Sequence, residues 1–344
     1  GDVSSSSSAQ INSIYGVFVG GGDVTDTFTN SGTISAVAIM GNVDGSSAQI
    51  NSIYGVFVSG DVTYTFNNSG TISASATMGN VSGSTASINS IYGVFVGDVV
   101  GGFINSDRIS ASATMGNVTG SNNQIGGIAG VNIANSVEGF HNLDTISATA
   151  TMGDVTGSNN WIGEIAGVYI NDSVFGFSNS GTIYATAEMG SVVGDDNVIE
   201  GVVGANILVD VEYEFTNSGT ISASATMGSV SSSSNTGITD IFGVYVGGDV
   251  RSFDNSGTIS ASATMGSVDG SDAEIEYILG VYVDGATDTF TNTGTISATA
   301  TMGNVSSNSA AQINGMSGVY VDDNVTTFTN SGTISATATM GNVS

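Results

Sequence analysis

Residues 69–81 read SGTISASATMGNV. Within that stretch Ile72, Ala74, Ala76 and Met78 are apolar, and Ser73, Ser75 and Thr77 between them carry hydroxyls. A period of two places the first set on one side of an extended chain and the second on the other, which describes a half-buried β-strand. Helical spacing is absent, and the β-branched and Gly content argues the same way.

The same text precedes this stretch as SGTISAVAIMGNV at Ser31 to Val43, and it returns until SGTISATATMGNV ends at Val343. Its methionines, Met40, Met78, Met115, Met152, Met189, Met227, Met265, Met302 and Met340, stand 37 or 38 residues apart. They mark nine copies of one unit, so each position of the unit can be read nine times. An Asn recurs in every copy, as Asn30, Asn68, Asn105, Asn142, Asn179, Asn217, Asn255, Asn292 and Asn330. Two residues before each stands a Phe, from Phe28 to Phe328.

A second strand reads IYGVFV at Ile53 to Val58. The columns at Tyr54, Val56 and Val58 stay apolar apart from Ser317, which assigns them to the buried face. The column at Phe57 varies among Phe, Tyr and Asn and is expected to face outward. Gly55 and its counterparts recur in all nine copies, the mark of a close backbone approach or a bend. A short third strand carries the Phe column, and an Asn-Ser-Gly corner follows, with the Gly expected to supply a positive φ.

Three strands, two variable loops and one tight corner per unit describe a three-sided parallel β-helix, with like residues stacked about 4.8 Å apart. Asn on Asn then forms an amide ladder. A rival geometry has two coils of 18–19 residues per unit, since GNV and GDV look like two halves of one pattern. One coil per unit is favoured, because the Phe and Asn columns lack counterparts in the other half. The whole chain reads as one solenoid domain. Because it is cut in register with the repeat and shows no cap, part of a longer array or a stacked filament is expected.

The SGTISATATMGNV and TFTNSGTISA segments resemble the passenger repeats of bacterial autotransporters and filamentous-haemagglutinin-type adhesins. The resemblance covers the whole chain. It implies a right-handed parallel β-helix, export across a Gram-negative envelope and display at the cell surface.

Composition narrows the chemistry. With 30 Asp and Glu against 2 Lys and Arg, the net charge of −28 argues against nucleic acid and against an anionic membrane surface. No stretch is long and apolar enough for a spanning helix, so direct membrane insertion is not expected. Zero Cys excludes disulfides and thiolate metal sites. The only His, His141, and the two arginines, Arg108 and Arg251, are singletons at unrelated repeat positions, so no catalytic residues are assigned.

One variable loop is acidic in most copies, at Asp23, Asp61, Asp98, Asp172, Asp210, Asp249, Asp284, Asp322 and Asp323. Stacked carboxylates repel, and Ca²⁺ is the ion that would relieve them, although no EF-hand or β-roll calcium motif is present. Solvated acidic loops are the plainer reading. The outward aromatic column, Phe18, Phe57, Phe95, Tyr169, Tyr245, Tyr282 and Tyr320, forms either an interaction stripe or a row packed over its neighbouring Gly under a loop. The Ser/Thr face allows an ice-binding reading, but Tyr184 and Glu188 interrupt it.

The expectation is a non-enzymatic, extracellular structural or adhesive rod that self-associates head to tail or laterally. A glycan-binding or glycan-cleaving β-helix, with surface glycans as partners, is the alternative from another class.

Overall fold

The computed structural model describes residues 1–4, 8–45, 47–83, 85–231, 234–270, 272–306 and 309–344. It is an all-β solenoid of about nine parallel coils, with no helix among the described residues. Coil two shows the plan: a long strand Ala48–Val58, a short strand Phe66–Asn68, a strand Thr71–Met78 and a two-residue strand Val81–Ser82. Each strand pairs with its own counterparts one repeat away. Ile53 lies between Ile14 and Ile91, Phe66 between Phe28 and Phe103, and Ala74 between Ala36 and Ala111.

One repeat therefore closes one circuit. Two shorter coils per repeat would set the Ile53 strand beside the Ala74 strand, and the pairing excludes it. The three large sheets hold nine strands each, in repeat order. A fourth sheet of seven two-residue strands sits at the GNV corner, a side the three-sided expectation left out. Alternation cannot flag a strand of two residues; only the buried Val column (Val43, Val81, Val118) marks it.

The core has two lobes. In one, Ile50 and Ile53 of the long strand face Ala74, Ala76 and Met78. In the other, Val56 and Val58 pack with Phe66 and Ile72. The Gly column forms the waist between them: a Cβ on Gly55 would stand 2.6 Å from Ile72 Cγ2 and 2.5 Å from the Gly93 carbonyl oxygen. Only a residue with no side chain lets the two sheets approach this closely.

Two local expectations are corrected. Gly70 at the Asn-Ser-Gly corner does not have a positive φ; it is Gly because a Cβ would collide with the Gly32 carbonyl of the preceding coil. Positive φ recurs instead in the long strand at Ser13, Ser52, Ser90, Gly127, Glu164, Gly201, Asp240, Tyr277 and Gly315, at 53° to 65°. This left-handed residue breaks the alternation, so that Ile50 and Ile53, three apart, both point inward. A second break falls at Gly55, between Tyr54 and Val56, and it takes Tyr54 off the core face that its apolar column suggested. Tyr54 lies on the outer side of the sheet, yet buried as expected, because it is covered where it stacks on Tyr15 and meets Phe57 edge-on.

Two ladders run the length of the rod. Asn30 Nδ2 donates to Asn68 Oδ1 at 2.8 Å, and the same 2.8 Å bond repeats through Asn105, Asn142, Asn179, Asn217, Asn255 and Asn292 to Asn330. Each interior Asn is buried, so a polar column is affordable only because every amide is paired. Beside it the Phe rings stack from Phe28 to Phe328 with centroids 4.6–5.0 Å apart.

Candidate functional site

The outer face of the long sheet carries two neighbouring columns, the one at Tyr54 and the one at Phe57. In coils one to three both are aromatic. Phe18, Phe57 and Phe95 stack at 5.3 and 5.1 Å, and Tyr15, Tyr54 and Tyr92 flank them. In coils seven to nine Tyr245, Tyr282 and Tyr320 make a second stack, 5.3 Å between successive centroids. The rings rest on one another and on the adjacent column, and the interior members Phe57, Phe95, Tyr245 and Tyr282 are each part-exposed. The stripe is therefore a surface feature in two blocks.

Between the blocks the columns change. The Tyr54 column becomes Ala129, Ala166 and Val203, and the Phe57 column reads Asn132, Tyr169, Asn206. Removing the large side chains from three consecutive coils leaves a groove of about 430 Å³, closed at one end by Tyr92 and at the other by Phe242 and Tyr245. Glu164 enters it from the left-handed kink, which turns its side chain outward. Burial, reinforced by the Glu164 charge, pushes the Tyr92 hydroxyl up to about 12, and the same two causes raise Tyr169. Both phenols are thus neutral donors at neutral pH. The Asn206 Oδ1 is covered and lacks a hydrogen-bond partner, which costs about 1–3 kcal/mol. Trp161 lies on the same face over Gly163, held by Nε1 donating to Glu200 Oε1 at 2.7 Å.

A second departure from the repeat lies on the outside of the Phe sheet in the same coils. Coil six gains a residue, and the register of its strand shifts between Val174 and Gly176 of coil five. His141, Glu138, Glu214, Phe175 and Tyr213 line a cleft of about 420 Å³ there, and the Arg251 guanidinium lies 5.9 Å from the Tyr213 ring centre. Of the three singletons, His141 lines the cleft, and Arg251 stands beyond it, three coils along from His141. Arg108 does not join them; its backbone N–H bonds the Asp107 carboxylate at a corner of coil three.

The acidic loops show a plain use for their carboxylates. Asp23 Oδ1 accepts the backbone N–H of Asp61 in the next coil, Asp61 that of Val99, Asp210 that of Asp249, and Asp249 that of Ala286. Asp98, Asp172 and Asp323 accept the N–H of the residue that follows each. Asp284 and Asp322 accept from the Tyr282 and Tyr320 hydroxyls. Among the described residues no group of three or more acidic or His side chains is placed to hold a metal ion.

Sequence reading missed one polar column altogether. Asn123, Asn160 and Asn197 are fully buried and form a second amide ladder, each Nδ2 donating to the next Oδ1 at 2.9 Å. The signal was the second Asn of SNN in coils four and five, which looked like ordinary loop composition. On the Ser/Thr face, Val37 and Ile39 are exposed in coil one, and Tyr184 and Glu188 stand in coil five, so the array is uneven.

No known family model matches the chain, and neither does any curated protein or solved structure. The class that the fold defines is a repeat protein built as a parallel β-solenoid.

Proposed function

We infer that the chain is a non-enzymatic structural rod, a stalk or fibre segment displayed outside the cell, like the autotransporter and adhesin passengers its repeats resemble. One observation supports this most: the Asn and Phe ladders pass through coils four to six without a break, although the outer surface there is rebuilt. The interior is thus organised for axial continuity. At one strand spacing per coil, nine coils extend about 43 Å. Acidic loops keep the flanks hydrated and mutually repulsive, which suits a body that must stay soluble while long.

Self-association carries the same reading one step further: every Phe and Asn column pairs with its own kind on both faces of a coil, so a coil with the same columns from a second copy can extend the stack. Electron micrographs of the purified protein should show filaments with an axial repeat of about 4.8 Å, one coil per repeat. Isolated particles alone, at every concentration tried, would end this reading.

A further inference from the structure

The groove between the two aromatic blocks has an internal rhythm. Along the Phe57 column, coils three to seven read Phe95, Asn132, Tyr169, Asn206, Tyr245: ring, amide, ring, amide, ring. Successive rings are two coils apart, about 10 Å at the strand spacing. The floor beside them is small and apolar (Ala129, Ala166, Val203), and Glu164 reaches in from the side.

That rhythm selects among ligands. A cation is held within about 6 Å of a ring centre, so it meets one of these rings and leaves the next unused. A peptide strand binds by backbone pairing at a sheet edge, and each long strand of coils four to six already has a partner on both sides. Anionic polymers are opposed by a net charge of −28 and by Glu164 in the groove. An extended sugar chain advances by nearly one ring per coil, and in β-linked chains alternate rings turn opposite faces. Aromatic side chains then meet every second ring, and amides meet the hydroxyls of the rings between.

We propose that this groove binds an uncharged, extended β-linked polysaccharide lying along the rod axis, with Tyr169 as the central stacking platform. Asn132 and Asn206 bond the hydroxyls on either side of it, and Glu164 accepts a hydroxyl from the edge. The unpartnered Asn206 Oδ1 gains a donor when the amide turns into the groove. The site is independent of the rod reading: a rod without the groove remains a rod.

The test uses the whole chain and three probes, hexasaccharides of β-1,4-linked glucose, N-acetylglucosamine and xylose, titrated by calorimetry. At least one should bind with a Kd of about 1 mM or tighter. Ala166→Tyr gives coil five the residue that the same column holds at Tyr54, so it fills the groove without a new kind of packing. It should weaken binding at least tenfold, and Tyr169→Ala should do the same. Asn206→Ala gives a second reading should Ala166→Tyr fail to fold. Thr264→Ala, on another face, should leave affinity unchanged. Failure of all three probes to bind overturns the proposal. So does affinity indifferent to the groove variants, or binding of tetramethylammonium or an oligogalacturonate at least as tight.

Discussion

Coils one to three and coils four to six share the Phe and Asn ladders inside, the second set adding the buried Asn123–Asn160–Asn197 ladder, and they differ most outside. In both, the Phe rings stack at 4.6–5.0 Å and the Asn amides bond at 2.8 Å. Outside, the first set carries paired aromatic columns, whereas the second keeps only Tyr169 and otherwise has alanine, valine and asparagine on the long sheet, with a bulge on the Phe sheet. An inward residue is fixed by the coil on each side and by the opposite sheet, so a change in one copy damages its neighbours. An outward residue answers to fewer neighbours. Variation therefore collects where it is cheap, and its concentration in three adjacent coils is what makes a groove.

The comparison can be broken most directly from inside. Phe66→Ala in coil two and Phe177→Ala in coil five should each cost about 3–5 kcal/mol by urea denaturation. Costs differing by more than about 2 kcal/mol, well beyond the usual site-to-site spread, would show that the two interiors are not equivalent. Asn68→Ala and Asn179→Ala each leave neighbouring amides without partners, and should cost about 2–4 kcal/mol.

A smaller effect comes from pH at the border of the two regions. Burial holds the Tyr92 hydroxyl at about 12, above its ordinary value, so the folded state favours the neutral phenol. Its contribution is complete below about pH 10 and is lost as the pH rises through 12, amounting to no more than about 2–3 kcal/mol. Tyr92→Phe should flatten that alkaline decline. Outside, Phe18→Ala should cost about 1 kcal/mol of ring stacking on Phe57, while Ala166→Tyr should shift stability by under about 1 kcal/mol. The least effect is expected at the acidic loops, whose carboxylates already accept backbone and hydroxyl protons. Chelator should leave the urea midpoint in place, and a fall on chelation would revive them as calcium sites.

Much of this was legible because the chain reports each position nine times. The Ile-Ala-Ala-Met strand, the Phe and Asn columns and the outward placement of Phe57 follow from residue type and period alone. The kink did not follow. Its column holds Ser, Gly, Glu, Asp and Tyr, so no residue type marks the left-handed backbone. The bend at Gly55, which sets Tyr54 and Val56 on different sides, is marked by its Gly column, but not in direction. The groove was hidden for a related reason. Its walls come from five coils, and its floor is defined by side chains that are small, so no single segment announces it. The cleft that His141 lines with Tyr213 likewise lies beside a bulge that shifts one strand against the next.

The buried amide ladder also gives the rod a direction. Every Asn side chain presents its N–H to the following coil and its oxygen to the preceding one, from Asn30 to Asn330. Aligned amides polarise one another along the series. The two faces of any one coil are consequently unlike: one offers a donor, the other an acceptor. A coil added to the stack continues the series only when facing the same way, so any fibre built on it is oriented, with all its members pointing to one end.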